Sequence, residues 1–420
     1  MSVEPDKSKS DKADKADKAV KSKSAKSKKD KRRKAEPRTV TNVKAVGSNY
    51  KPDGSIVEAA MILHALGDTI GFKNGEWEFN KDYTFSLNYT NELIYEFINL
   101  GGINSIDLSD WIVSDDTIFH YFVGKAMLEY DGVLDDKYIL KFKYALTNAS
   151  KLIIDSKMPR YIGNTTKKSI ADFELNHDAR DEPYNSYGGG NGCAMRNLVI
   201  GLCLYEESKL KELIDLSIVS SMLTHHNAIG YLGGFTAAYF TSLAVRKVDI
   251  RTWPYLLVEQ LNSDYLASYI KKTVSDETRD FIDFKEAWLK HIDNRFDENR
   301  ALIDLRAFKN PMYRMRYYFS NFYSMERDRS RLSTQIGGSG VLAMIMAYDA
   351  AMDSGGVWEK LLVFAILNAG DSDTVGAIAG GLFGTYYGFS DTPARMYEKL
   401  EFKEELLRLV TGIKKKYFSL

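Results

Sequence analysis

The chain has 420 residues, 44% of them apolar, enough to bury one large core or two smaller ones. Formal net charge is zero, but residues 1–40 hold 15 Lys/Arg against 7 Asp/Glu, so the remainder carries a matching acidic excess. Only Cys193 and Cys203 are present, which excludes a disulfide framework and a cysteine-held zinc and favours a reducing compartment. The N-terminus lacks the apolar stretch of a signal peptide, and no window approaches the ~20 apolar residues of a membrane span. A soluble, intracellular, cytoplasmic protein without membrane contact is expected.

In chain order, the first segment is a tail, residues 1–45, running from Asp11-Lys12-Ala13-Asp14 through Lys28-Lys29-Asp30-Lys31-Arg32-Arg33-Lys34. With almost no bulky apolar residue it cannot offset the entropy of ordering and is expected to be disordered. Its charge suits weak nucleic-acid contact or a nuclear import signal, and equally a solubilising extension.

From Ile56 onward apolar residues recur at helical spacing, as in Ile56, Ala59, Ala60, Ile62, Leu63 and Leu66. Gly67 and Gly101-Gly102 read as helix stops, and Ser114, Thr252 and Asp371 as starts. Gly/Asn/Ser-rich runs at 183–193 and 335–340 read as loops, and Val341, Leu342, Met344, Ile345, Tyr348 and Ala351 as a further helix face. No strict alternation and no fixed repeat appear. One compact all-α, multi-helix domain over 46–420 is the expected architecture, monomeric in form.

Chemistry concentrates at two acidic helix starts, Ser114-Asp115-Asp116-Thr117 and Gly370-Asp371-Ser372-Asp373-Thr374. Ser, Asp and Thr are preferred N-caps, so either run alone could be capping. Caps do not require consecutive carboxylates, however, and hard oxygen ligands in this number suit Mg²⁺ or Mn²⁺. Two Mg²⁺ ions there would bind a water and substrate hydroxyls, which points to hydrolysis of an anionic substrate. The run Tyr187-Gly188-Gly189-Gly190-Asn191-Gly192 before a helix can cradle phosphate with backbone amides, but lacks the Gly-Lys-Ser/Thr ending of an NTPase loop. His225-His226 reads as a helical pair pointing to different sides, without the spacing of a zinc site.

In this order the runs resemble the ADP-ribosylglycohydrolase family, most closely its ADP-ribosylarginine hydrolase branch. The resemblance spans nearly all of 55–420 and also takes in Gly67-Asp68-Thr69-Ile70-Gly71, Asn74-Gly75-Glu76-Trp77-Glu78-Phe79 and Tyr397-Glu398-Lys399-Leu400-Glu401. It implies an all-α domain with a binuclear Mg²⁺ centre that cleaves ADP-ribose from arginine on ADP-ribosylated proteins. By that resemblance Ser114, Asp115, Asp116, Asp371, Asp373 and Thr374 are metal ligands, with Asp115, Asp116 and Asp371 catalytic. Gly188, Gly189, Gly190, Asn191 and Gly192 lie along the diphosphate, Tyr187 near the adenosine and His225 at the ribose. Glu76 or Glu78 serves the leaving guanidine or gates the substrate. Val341-Leu342 stands where the arginine-specific branch tends to carry His-Asp, and Met158-Pro159-Arg160-Tyr161-Ile162-Gly163 follows that branch loosely. Hydrolysis of a serine or O-acetyl linkage and inactive ADP-ribose binding are the alternatives.

Overall fold

The apolar run that begins near Ile56 folds as one helix from Ser55 to Phe72, passing straight through the expected stop at Gly67. The structure, a computed structural model, describes residues 52–79, 86–173, 183–270, 275–325 and 336–418. The Lys/Asp/Ser-rich tail, residues 1–45, lies outside them. The fold is all-α: regular structure among the described residues is helical, with only isolated bridges at Gly190–Ser339 and Phe296–Leu302.

The longer helices are α1 (Ser55–Phe72), α2 (Leu87–Asn99), α3 (Asp115–Leu128), α4 (Asp136–Ile154), α5 (Asn164–Ala171), α6 (Ala194–Cys203) and α7 (Leu210–Met222). They continue as α8 (Ala228–Val245), α9 (Trp253–Leu261), α10 (Ser275–Arg295), α11 (Pro311–Met325), α12 (Gly340–Ser354), α13 (Ser372–Tyr387) and α14 (Lys403–Tyr417). Helix α8 is buried along its whole length among α6, α7, α10, α12 and α13, as a helix apolar on every side must be. Two segments, Ser55–Gly75 and Ala228–Val245, are in fact long and apolar enough to cross a bilayer, which corrects the sequence expectation. Their apolar windows are 89% and 100% buried, so the core is what their composition serves here.

Gly67 is interior to α1 because α1 and α13 touch backbone to backbone. A Cβ on Gly67 would lie 2.1 Å from the Gly376 carbonyl oxygen, and one on Gly380 would lie 2.1 Å from that of Leu63. The contact needs glycine for space, and it outweighs glycine's low helix propensity. Ser372 then donates its hydroxyl to the Gly71 carbonyl at 2.7 Å. This pairing brings the first turn of α13 beside the last turns of α1, which is where the site forms.

The other expected boundaries fall nearby. Gly101 turns the chain after α2 at φ +113, Ser114 caps α3, and Thr252 precedes α9 without capping it. Cys193 and Cys203 are both free and buried.

Candidate active site

Asp115 and Asp116 open α3, and Asp371 and Asp373 flank the start of α13. The two runs meet: Thr374 donates its hydroxyl to Asp116 Oδ1 at 3.2 Å, and carboxylate oxygens of Asp68, Asp116 and Asp373 lie within 4.8 Å of one another. A second triad of the same tightness is formed by Glu78, Asp371 and Asp373, so Asp373 is common to both. These residues apart from Asp68 line a cavity of about 1270 Å³.

Ser114 uses its hydroxyl as a cap, accepting the Asp116 N–H at 3.1 Å, and it stands behind the cavity wall. Its neighbour Arg160 grips Glu401 through two nitrogens, at 2.8 and 3.0 Å. Glu401 in turn accepts the Val113 N–H at 2.8 Å, while the Arg160 carbonyl takes the Asp115 N–H at 3.2 Å. The segment from Val113 to Asp115 is thus tied down from two distant parts of the chain.

Burial pushes the carboxyls of Asp115, Asp116, Asp373 and Glu78 well above the ordinary carboxylate range, and repulsion from neighbouring carboxylates adds to it. Asp371 is raised by burial too, although Asn191 donates to its Oδ2 at 2.8 Å. No lysine or arginine forms an ion pair with any of these groups among the described residues. Two buried oxygens, Asp116 Oδ2 and Asp371 Oδ1, have no hydrogen-bond partner there. Buried acceptors left unmatched cost about 1–3 kcal/mol each, and divalent cations, one at each triad, are groups that would satisfy them.

The two glycine-rich loops, which the sequence presents separately, pair with each other. Asn191 donates its backbone N–H to the Gly338 carbonyl at 3.1 Å and Gly340 donates to the Gly189 carbonyl at 3.0 Å. The Asn191 side chain also donates to the Gly337 carbonyl at 2.9 Å, so one residue joins both loops to Asp371. Gly190, Asn191 and Gly192 line the cavity along with the half-exposed Tyr187. Gly188 and Gly189 sit behind that wall, against Asn227 and Ile229.

His225 lines the cavity and His226 follows it in the turn between α7 and α8, which corrects the helical reading of this pair. Of the two glutamates, Glu78 faces the cavity while Glu76 pairs with Lys73 at 2.8 Å. Tyr161 and Gly163 border the same space, whereas Val341 and Leu342 are buried in the first turn of α12.

Sequence reasoning missed Asp68 as a site residue. It accepts both the Ser114 and Thr117 N–H groups at 3.1 Å as well as the Thr117 hydroxyl. The available signal was a lone carboxylate inside the apolar run of α1, flanked by glycines at 67 and 71.

Comparison with known proteins bears on family and fold. The family profile described as ADP-ribosylglycohydrolase matches residues 52–418. A protein of Acanthamoeba polyphaga mimivirus, provisionally named an ADP-ribosyl glycohydrolase, is 36% identical over 83% of this chain and 68% of its own length. ADP-ribosylhydrolase ARH1 of Dictyostelium discoideum is 30% identical over 83% of this chain and 90% of its own. Among solved structures, an ADP-ribosylglycohydrolase-related protein complex shares the fold with a TM-score of 0.52 at 17% identity, covering 87% of this chain and 98% of that one.

Proposed function

The chain belongs to the ADP-ribosylglycohydrolase family, and from that membership and its acidic cavity we propose a Mg²⁺-dependent hydrolase that removes ADP-ribose from arginine on modified proteins. The observation that carries the metal dependence is the pair of partnerless buried oxygens, Asp116 Oδ2 and Asp371 Oδ1, within two carboxylate triads that share Asp373. An all-oxygen donor set of this kind fits Mg²⁺, with Mn²⁺ as the alternative. Ser114, Asp115, Asp116, Asp371, Asp373 and Thr374, joined by Asp68, would hold two such ions. When bound, they supply Lewis acidity and a template for ribose hydroxyls.

The protein's own groups account for the rest of the proposed chemistry. Breaking the C–N bond builds positive charge on the ribose, and the carboxylates of Asp115, Asp116 and Asp371 stabilise it in a water-poor cavity. The Asp116 carboxylate also takes the proton of the attacking water. Glu78, partly exposed in the cavity wall, pairs with the leaving guanidine. The Gly190 and Gly192 amides lie along the diphosphate with Tyr187 near the adenosine, and His225 meets the ribose side. The form proposed is an intracellular monomer whose basic tail adds weak nucleic-acid contact.

The test is release of ADP-ribose from an arginine-modified protein, abolished by EDTA and by Asp371→Asn. Absence of Mg²⁺-dependent turnover on every ADP-ribosyl linkage rejects the reading. The apolar Val341-Leu342 pair favours a second reading, hydrolysis of a serine or O-acetyl linkage. A panel of the three linkages separates the two by relative kcat/KM.

A further inference from the structure

Arg196 is fully buried at the start of α6, and its guanidinium meets oxygens that belong to no carboxylate. It donates to the Gly192 carbonyl at 2.9 Å, the Ser220 carbonyl at 2.9 Å and the Thr224 hydroxyl at 2.8 Å. A guanidinium only donates, so Thr224 Oγ1 must accept from it and has one proton of its own to place. Two oxygen or nitrogen acceptors are within reach, the Ser221 carbonyl at 3.5 Å and His225 Nδ1 at 2.8 Å; the third neighbour, the Cys193 sulfur, is a weak acceptor. The Ser221 carbonyl already takes the Thr224 and His225 N–H groups at 3.1 and 2.9 Å. The hydroxyl proton therefore goes to Nδ1, which leaves the imidazole proton on Nε2.

We infer that Arg196 and Thr224 lock His225 as the neutral Nε2–H tautomer, so that it offers a fixed hydrogen-bond donor to an acceptor oxygen of the bound ligand. The Nε2 edge faces the glycine loop, where a Cβ on Gly190 or Gly192 would come within 3.4 or 3.3 Å of it, and the ring forms part of the cavity wall. Burial, with the Arg196 charge behind the ring, pushes the imidazole pKa down to about 3. His225 is thus a binding group throughout the physiological range and not a proton shuttle. Arg196 and Thr224 are positioning residues that act through it. The identity of the ligand oxygen, on the ribose or diphosphate of ADP-ribose, rests on the proposed function; the tautomer does not.

The test is a long-range ¹H–¹⁵N spectrum of full-length, ¹⁵N-histidine-labelled protein, with His225→Asn to assign the signal. The expected result is a protonated Nε2 and an acceptor-type Nδ1, unchanged from pH 5 to 8. A proton on Nδ1, or titration within that range, overturns the inference whether or not the protein turns over substrate. Thr224→Val is expected to mobilise the tautomer and raise KM by about three- to tenfold, the range of one neutral hydrogen bond, with a smaller fall in kcat. Thr224→Ser is expected to restore both. A tautomer unaltered by Thr224→Val overturns the relay, and if that variant does not fold the wild-type spectrum alone decides.

Discussion

The Asp68 carboxylate accepts the Ser114 N–H on both oxygens at 3.1 Å, across 46 residues of sequence. Because it also takes the Thr117 N–H at 3.1 Å, a side chain of α1 does the capping work at the start of α3 that a local residue usually does alone. The metal-ligand candidates of α3 are therefore positioned by the core helix that also carries α13.

Replacing Asp68 by alanine strands these buried donors. Asp68→Ala is expected to cost about 2–4 kcal/mol of stability, on the scale of unmatched buried donors, and to weaken Mg²⁺ binding. Urea denaturation and calorimetric Mg²⁺ titration measure the two effects. Unchanged stability would show that water replaces the carboxylate and that α3 holds its own start.

The acidic cluster sets a pH dependence with a definite sign. Asp68 titrates near 3.8 ordinarily and about 6 here, because burial outweighs its four hydrogen bonds, and Asp115, Asp116 and Asp373 are shifted the same way. The folded state then binds more protons than the unfolded one between those values, so its stability falls as pH rises. In EDTA, Tm is expected to drop from pH 4 through pH 6 and beyond. Added Mg²⁺ should raise Tm more at pH 7.5 than at pH 5, since cations and protons compete for the same oxygens. A Mg²⁺ stabilisation that is equal at both pH values contradicts the site.

The α1–α13 contact leaves no space for a methyl group. Gly380→Ala places its Cβ 2.1 Å from the Leu63 carbonyl oxygen, so one helix must move. A loss of about 3 kcal/mol or more is expected, at the upper end of overpacking costs, with kcat/KM falling as Asp373 shifts from Asp68 and Asp116. Thermal melts together with single-turnover rates on the folded fraction check both. A normal Tm would mean that the helices separate at little cost.

Much of this was legible in residue order. The helical period from Ile56 and the doubled carboxylates at 115–116 and 371–373 pointed to an all-α fold with an acidic site. Gly67 was misread because, locally, a glycine ending an apolar run is a stop signal; only its partner Gly376, more than 300 residues away, makes it a contact point. Glu76 and Glu78 were equivalent in sequence, and the turn through Phe79, whose N–H donates to the Gly370 carbonyl at 3.1 Å, separates them.

The sequence by itself determined the kinds of group the candidate site draws on, because side-chain chemistry and local spacing are properties of short stretches: carboxylates and hydroxyls at helix starts, glycines before helices. The tertiary structure decided which of those groups share a space. It recruited Asp68, turned Glu78 inward and Glu76 outward, and joined the two glycine loops through Asn191. Backbone packing between α1 and α13 sets these distances, and no interval along the chain encodes the separation of helices that meet only after folding.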